Sequence, residues 1–296
     1  MIDTQAAGWL KELLPPVVAL AREAGEAIMK AYSEVNPAID YKPDTSPLTL
    51  ADLASNNILV NGLQRLSPDW PVLSEEAAEA PFDVRKHWHH FWMIDPLDGT
   101  KEFLHRNGEF TVNIALMDGD APILGVVYAP AIEKLYFAAK GTGAFKVDGE
   151  TSSQVEAAPT GGAALRVVVS RSHRMQDEDL ERFLCGSEKC EFISMGSSLK
   201  FCLVADGSAD LYPRVGPTME WDTAAAQCIL EEAGGSVTDL NGDPMKYNKP
   251  VLRNPGFVAK ARPSKNRTTV PGDVSTAAIR RDEMTEGAAG ASFLSV

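Results

Sequence analysis

The stretch that decides the fold is Phe91-Trp92-Met93-Ile94-Asp95-Pro96-Leu97-Asp98-Gly99-Thr100-Lys101-Glu102-Phe103. Its leading apolar residues predict a buried strand, which we expect to stop at Pro96 because proline has no N–H for the ladder. The carboxylates of Asp95 and Asp98 can then point into one small volume together with the Leu97 carbonyl. Close carboxylates repel each other unless a cation lies between them, and such oxygen ligands suit Mg²⁺ or Mn²⁺. Taken alone, the stretch is also typical of a common turn with two aspartates.

Length and composition are those of a soluble globular protein. The chain has 296 residues, of which 44% are hydrophobic and 23% are charged, enough for one large or two modest domains. No apolar run reaches the roughly 18 residues of a membrane-spanning helix, and the first residues lack the pattern of a secretory signal. The four cysteines show no zinc-finger spacing, so we interpret them as reduced thiols. These features predict a cytoplasmic protein, and no lipidation motif or amphipathic anchor is evident.

The net charge of −13 argues against nucleic acid as a partner, because polyanion binding requires a basic surface. It does not exclude a small phosphorylated substrate, since divalent cations can lie between acidic side chains and a phosphate. We therefore expect a small-molecule partner. The sequence leaves a monomer and a homodimer as alternatives.

The first half of the chain predicts two helices and a largely antiparallel sheet. Apolar spacing predicts a helix over residues 10–32. Thr49 is a plausible N-cap of the next helix, with Asp52 in its first turn. Residues 33–47 and 77–90 are predicted loops. Strands are predicted at residues 70–74, 110–117, 122–128, 134–139 and 143–147.

The second half alternates between strands and helices after a linker predicted at residues 157–162. Strands are predicted at 167–170, 192–195, 209–212, 237–240 and 257–259, and helices at 176–184, 197–205 and 223–233. We therefore predict an α/β protein with an α+β first half and an α/β second half. Residues 1–158 would form a catalytic subdomain, residues 159–262 a substrate-recognition subdomain, and residues 263–296 a disordered tail.

Further acidic residues accompany the central stretch. Glu75 follows a short apolar strand, and Asp222 stands just before a predicted helix, so both are candidate ligands of a two-metal phosphatase. Asp52 could orient the Thr100 hydroxyl so that it accepts a proton from a metal-bound water. Each has a structural alternative, because Glu75 could be a surface residue and Asp222 an N-cap. Their joint presence at strand ends favours chemistry. Lys42 and Asp44 lie on a polar loop that could fold over this site.

Several motifs together resemble a known family. The sequence Asp95-Pro-Leu-Asp98-Gly-Thr100, the segment Ser74-Glu75-Glu76 and the pair Trp221-Asp222 resemble the inositol monophosphatase superfamily of Mg²⁺-dependent, lithium-sensitive phosphatases. Within it, residues 47–52, 98–103, 106–115, 123–130, 170–173, 196–205 and 211–217 look like the bacterial CysQ-type 3′(2′),5′-bisphosphate nucleotidases. The resemblance spans about residues 10–262 and implies the layered αβαβα sugar-phosphatase-like fold. It also leaves open peripheral attachment to the cytoplasmic face of the inner membrane, where some bacterial relatives are assigned.

The resemblance also implies roles for individual residues. Metal ligands would be Glu75, Asp95, the Leu97 carbonyl, Asp98 and Asp222. Thr100 and Asp52 would activate the attacking water, and the N–H groups of Gly99 and Thr100 would hold the departing phosphate. The nucleotide contacts would be His173, Ser197, Lys200 and Arg214. The planar donors of Arg214 suit a second phosphate, whereas His173 has a purely structural alternative.

The implied reaction is in-line hydrolysis assisted by two Mg²⁺ ions, with Mn²⁺ as an alternative. It would convert adenosine 3′,5′-bisphosphate (PAP) to AMP and phosphate, in clearance of a by-product of sulfate assimilation. The 3′-phosphate of 3′-phosphoadenosine 5′-phosphosulfate (PAPS) is a further candidate substrate. The alternatives are an inositol or sugar phosphatase, a non-catalytic nucleotide sensor and a structural Ca²⁺ site. Retention of Asp52 and Thr100 disfavours the sensor, because binding alone needs no water-activating pair.

Overall fold

The computed structural model describes residues 6–34, 39–41, 47–158, 164–171 and 189–262. Within these ranges a seven-stranded sheet and a five-stranded sheet are stacked with helices. The helices are α1 (Ala6–Tyr32), α2 (Leu50–Leu66), α3 (Phe82–Arg85), α4 (Thr100–Leu104), α5 (Leu199–Ala205) and α6 (Ala224–Glu232). Single 3₁₀ turns lie at Pro130–Ile132 and Glu220–Asp222.

The seven-stranded sheet carries the central stretch. Its strands, in spatial order, are β3 (Val72–Ser74), β4 (His90–Asp98), β5 (Thr111–Asp118), β6 (Ala121–Ala129), β7 (Lys134–Ala139), β8 (Gly143–Asp148) and β9 (Thr151–Val155). Only β3 and β4 pair in parallel, and the later strands form an antiparallel meander. The meander prediction is confirmed except for β9, whose exposed polar residues give no apolar alternation.

Helices α1 and α2 cover one face of this sheet. Their apolar side chains pack on β4, β5 and β6 in one core cluster that includes Val17, Leu59, Trp92 and Ile114. The predicted N-cap of α2 is confirmed, because the Thr49 side chain accepts the Ala51 N–H at 3.2 Å. A short antiparallel pair, β1 (Ile39–Tyr41) and β2 (Pro47–Thr49), precedes α2 where we predicted only a loop.

Helices α5 and α6 cover the opposite face and separate the two sheets. Their residues share a second core cluster with Phe91, Met93 and Ala115 of the seven-stranded sheet. At Gly125 in β6, an added Cβ would lie 2.1 Å from the Ala225 carbonyl oxygen of α6. The sheet and helix α6 approach so closely here that only glycine fits.

The five-stranded sheet has the order β11-β10-β12-β14-β13. These strands are β10 (Ala164–Ser170), β11 (Lys189–Met195), β12 (Leu211–Arg214), β13 (Ser236–Asp239) and β14 (Phe257–Lys260). The pairs β10–β11 and β10–β12 are parallel, as alternating strands and helices predict, and the remaining two pairs are antiparallel. The predicted mixed fold of α+β and α/β halves is therefore confirmed, with helix, sheet, helix and sheet layers in order.

Some predictions fall outside the described residues. These are the helix at 176–184, the linker from residue 159 to 162, the tail at 263–296, and the positions of Lys42, Asp44 and His173. The division into subdomains at residue 158 also stays a prediction. The two large sheets nevertheless lie on either side of it, with β9 ending at Val155 and β10 starting at Ala164.

Two further predictions about local structure are wrong. Strand β4 does not stop at Pro96 but continues to Asp98, because a register shift takes the proline out of the ladder. The loop predicted at 77–90 contains the short helix α3.

The cysteine prediction holds only in part. Cys202 and Cys228 are buried free thiols, whereas Cys190 is disulfide-bonded. Spacing along the chain does not tell whether two sulfur atoms reach bonding distance. Among the described helices, none has both the length and the apolar character that crossing a membrane requires.

Candidate active site

A bulge in β4 sets up the site. Asp95 lies opposite Asn113 of β5 and Asp98 lies opposite Thr111, so Pro96 and Leu97 face a single residue of β5. The Leu97 N–H donates to Asp95 Oδ1 at 3.0 Å. In a regular strand, side chains three residues apart point to opposite faces of the sheet. The bulge interrupts this alternation, so Asp95 and Asp98 can both face the site.

The neighbouring strand β3 delivers Glu75 to the same place. Ser74 is paired in parallel with Ile94, and the Glu75 N–H donates to the Ile94 carbonyl at 3.2 Å. Glu75 therefore follows its strand directly beside Asp95. The proposed ligand Asp222 comes from the 3₁₀ turn before α6, where its carboxylate accepts the Met219 N–H at 2.8 Å.

Carboxylate oxygens of Glu75, Asp95 and Asp222 all lie within 4.8 Å of one another. Burial raises the pKa of Asp95 well above its ordinary value, and the charges of Glu75, Asp98 and Asp222 raise it further. The pKa of Asp222 is also raised, by burial and then by Asp98 and Glu75. A cation between these groups would relieve both causes. An all-oxygen donor set fits Mg²⁺ or Mn²⁺ and is unsuited to a soft metal.

Asp98 is fixed by a hydrogen-bond network from both halves of the chain. Its Oδ2 accepts from the Ser198 N–H at 2.6 Å, from Ser198 Oγ at 2.7 Å and from Asn113 Nδ2 at 3.3 Å. The Ser198 hydroxyl also lies 2.6 Å from the Asp222 carbonyl oxygen. Burial raises the pKa of Asp98, while Lys200 and these hydrogen bonds lower it. Ser198 thus holds the segments of Asp98 and Asp222 together.

Thr100 and Asp52 meet beside this cluster. Thr100 Oγ1 lies 3.4 Å from Asp52 Oδ1 and 3.4 Å from the Leu97 carbonyl oxygen. The other Asp52 oxygen accepts from the N–H and the hydroxyl of Thr49, at 2.8 and 2.6 Å. Asp52 is fully buried, so the capping box of α2 holds it in one orientation.

A cavity of about 240 Å³ opens next to the carboxylates. Predicted site residues that line it are Asp98, Gly99, Thr100, Ser197, Lys200, Arg214 and Asp222. Burial lowers the pKa of Lys200 to about 8, an effect that the nearby Asp98 opposes. The cavity therefore combines an acidic end with three basic residues, Lys101, Lys200 and Arg214.

Sequence reasoning missed several residues of this site. Ser198, Tyr212 and Glu102 line the cavity, and Asn113 is a buried amide within an otherwise apolar strand. A lone asparagine in such a strand is a usable signal, because a buried amide needs hydrogen-bond partners. All four residues lie within the family-like segments 98–103, 106–115, 196–205 and 211–217, where the resemblance assigned them no role.

A family model described as the inositol monophosphatase family matches residues 9–275. The chain belongs to this family. Within the inositol monophosphatase family it is 48% identical over 247 residues to the 3′(2′),5′-bisphosphate nucleotidase CysQ of Escherichia coli K12, an alignment that covers 83% of this chain and 98% of that protein. It is also 48% identical over 248 residues to the CysQ of Salmonella typhimurium LT2, with the same coverage of 83% and 98%.

A solved family structure has the same architecture. CysQ from Bacteroides thetaiotaomicron, described as a bacterial member of the inositol monophosphatase family, superposes with a TM-score of 0.75 at 41% identity. The match covers 84% of this chain and 97% of that one. The sugar-phosphatase-like fold that the sequence motifs implied is therefore confirmed.

Proposed function

We propose that this chain is a Mg²⁺-dependent 3′(2′),5′-bisphosphate nucleotidase that hydrolyses the 3′-phosphate of PAP to give AMP and phosphate. The observation that carries the proposal is the cluster of Glu75, Asp95 and Asp222 beside a cavity that also contains Lys200 and Arg214. The names of the CysQ relatives, at 48% identity over almost their whole length, support the same activity.

Metal binding would use the acidic end of the cavity. Glu75, Asp95 and the Leu97 carbonyl would hold one Mg²⁺, and Asp95, Asp98 and Asp222 a second. Bound Mg²⁺ supplies a water of lowered pKa and charge stabilisation of the departing ribose oxygen. Mn²⁺ is an alternative with the same oxygen preference.

The Thr100 hydroxyl, oriented by Asp52, would accept the proton of the attacking water. Asp52 Oδ1 accepts the Thr100 hydroxyl proton, which leaves the lone pairs of Thr100 Oγ1 free to accept from a water in the cavity. Because Thr49 fixes the other Asp52 oxygen, the pair is oriented before the substrate arrives.

The remaining residues would bind the nucleotide. The N–H groups of Gly99 and Thr100 would hold the phosphate that is removed, and Lys200 and Arg214 the second phosphate. Ser197, whose carbonyl accepts from Lys200 Nζ at 2.5 Å, would contact the nucleoside. His173 remains a proposed nucleoside contact outside the described residues.

The basic side chains of Lys200 and Arg214 favour a bisphosphate over inositol monophosphate, the nearest alternative substrate. A monophosphate has only one anionic group, so the charges of Lys200 and Arg214 would find no partner in it. PAPS carries a second anionic group as well and remains a candidate. Clearance of PAP in sulfate assimilation, a monomer or homodimer and a cytoplasmic location stay predictions.

Phosphate release from PAP by the purified protein tests this function. We expect turnover that requires Mg²⁺, is inhibited by lithium as the family resemblance implies, and exceeds turnover of inositol 1-phosphate. Binding of PAP without phosphate release would instead identify a nucleotide sensor. Faster release from inositol 1-phosphate would identify an inositol phosphatase.

A further inference from the structure

The side chain of Glu109 connects three segments around the cavity. Its carboxylate accepts from Arg171 Nε at 2.7 Å and from Arg171 Nη2 at 2.6 Å. Oε2 also accepts the Gly196 N–H at 2.7 Å. Glu109 lies between α4 and β5, Arg171 follows β10, and Gly196 follows β11. One carboxylate therefore links the first half of the chain to two loops of the second half.

The turn at Gly196 is tightly packed against Glu109. A Cβ added to Gly196 would lie 2.7 Å from the Glu109 carbonyl oxygen and 2.7 Å from Glu102 Cγ. The next residue, Ser197, has a φ of 48°, a left-handed conformation that a serine adopts at a cost. The hydrogen bond from Gly196 to Glu109 holds this turn in place.

Two of the three linked segments line the cavity, and the Glu109 segment lies beside Gly99, which also lines it. Gly99 and Thr100 line the cavity at the start of α4. Ser170, which directly precedes Arg171, and Ser197, which directly follows Gly196, line it from the second half of the chain. A Cβ added to Gly99 would lie 3.3 Å from both the Glu109 carbonyl oxygen and Ser197 Cβ. Glu109 therefore lies where the segments of Ser170 and Ser197 meet the segment of Gly99.

The ion pair itself contributes little to folding. The Arg171 side chain is 43% exposed, and that of Glu109 is 15% exposed. Pairs with such an exposed partner are screened by water and contribute weakly to stability, although a two-pronged arginine–carboxylate pair fixes geometry well. The contact therefore contributes more to the positions of the segments around the cavity than to the stability of the fold.

We propose that Glu109 is a positioning residue for nucleotide binding, acting through Arg171 and Gly196. It fixes Ser170 and Ser197 opposite Gly99 and Thr100, and so sets the affinity for the bisphosphate nucleotide without touching it. This inference rests on the proposed nucleotidase function.

Three variants test the proposal. Glu109→Gln keeps the size of the side chain and removes its charge, and Arg171→Lys keeps the charge and removes the planar fork. Arg166→Lys is the matched control, since Arg166 on β10 makes a similar two-pronged pair with Asp210, at 2.9 and 3.2 Å, away from the cavity lining. The measurements are kcat and KM for PAP, with Tm for each variant.

We expect Glu109→Gln and Arg171→Lys to raise the KM for PAP about tenfold while kcat changes less than about twofold. Arg166→Lys should leave KM unchanged even if its Tm falls. An unchanged KM in the first two variants, or an equal rise in Arg166→Lys, would overturn the proposal. A fall in kcat at constant KM would also overturn it. Wild-type protein that releases no phosphate from PAP would instead show that the proposed function itself fails.

Discussion

Thr100 Oγ1 lies 3.4 Å from Asp52 Oδ1, although 48 residues separate the two in the chain. The contact joins the first turn of α4 to the first turn of α2. Since Asp52 also completes the capping box of α2, one buried carboxylate serves both the helix and the proposed water-activating pair.

Replacing Thr100 with alanine tests that pair. We expect Thr100→Ala to lower kcat for PAP by about 10² to 10³, the usual contribution of a positioned proton acceptor, with little change in KM. Steady-state kinetics at saturating Mg²⁺ measure both constants. A kcat within about twofold of wild type would contradict the role of Thr100.

Thr49→Ala is the control for the structural side of the same network. It removes the hydroxyl that bonds to Asp52 and that caps α2. We expect a loss of about 1 kcal/mol in the free energy of unfolding and a smaller fall in kcat than in Thr100→Ala. Urea unfolding and the same kinetic assay separate the two effects.

Asp95→Asn should abolish turnover and leave the fold intact. Asp95 would help to hold both proposed cations, so the substitution would remove a negative charge that both need. The amide keeps the shape of the side chain and relieves repulsion from Glu75 and Asp222. We expect Tm without metal to be equal or higher and Mg²⁺ binding by calorimetry to weaken. Normal phosphate release by Asp95→Asn would refute the metal assignment.

Removal of metal should destabilise the protein, and more so at higher pH. The pKa values of Asp95 and Asp222 are raised in the folded protein. Between the ordinary value of 3.8 and the raised values, the folded state binds more protons than the unfolded state, so stability falls as pH rises. Above that interval the repulsion is fully present, and bound Mg²⁺ offsets it.

We therefore expect Mg²⁺ to raise Tm by about 5 °C at neutral pH. The gain should shrink as the pH is lowered toward about 4, where protons replace the cation. Calorimetric scans with Mg²⁺ and with a chelator give the comparison. Equal Tm values at neutral pH would mean that the acidic cluster holds no metal.

Lys200→Met should weaken nucleotide binding and stabilise the folded protein. Lys200 is buried, and its pKa is lowered to about 8 from an ordinary 10.5. Between these values the unfolded state binds more protons, so stability rises with pH there, and the cost of the buried charge is complete below about pH 8.

In metal-free protein, Lys200→Met should thus raise Tm below about pH 8, with the gain fading toward pH 10.5. The KM for PAP should rise about tenfold, because a charged partner of the second phosphate is lost. A variant with unchanged KM would show that Lys200 does not contact the substrate.

Gly125→Ala should destabilise the protein without direct effect on the site. The added Cβ would meet the Ala225 carbonyl oxygen at 2.1 Å, so α6 or β6 must shift, at a cost of about 1–3 kcal/mol. Gly8→Ala is the control, because nothing lies within 4 Å of its added Cβ on α1, and alanine there favours the helix. If the free energy of unfolding of Gly125→Ala equals that of wild type, β6 and α6 are not in close contact at this position.

Local signals predicted much of this fold. The apolar face of α1, the Thr49 cap and the alternating strands β5 to β8 depend on neighbours in sequence, so their positions follow from spacing. Strand β9 and helix α3 were missed because their residues show no apolar period. The bulge at Pro96 was missed because the missing N–H predicted an end, whereas the register shift accommodates it.

The acidic residues of the site could be predicted, but the residues that hold them in place could not. Glu75, Asp95 and Asp222 could be chosen because carboxylates at strand and helix ends share one chemistry. Asn113 gave a local signal as a buried amide, but its partners could not be predicted. Ser198 and Glu109 could not be assigned, since their roles depend on distances between segments that no local pattern encodes. The Ser198–Asp98 contact, for example, spans 100 residues.

That contact also bears on synthesis of the chain. Asp95 and Asp98 leave the ribosome long before Ser198 and Asp222 are translated. A nascent or prematurely terminated chain therefore lacks both the last carboxylate and the hydroxyl that fastens Asp98. Under the proposed ligand assignment, such a product would have no phosphatase activity.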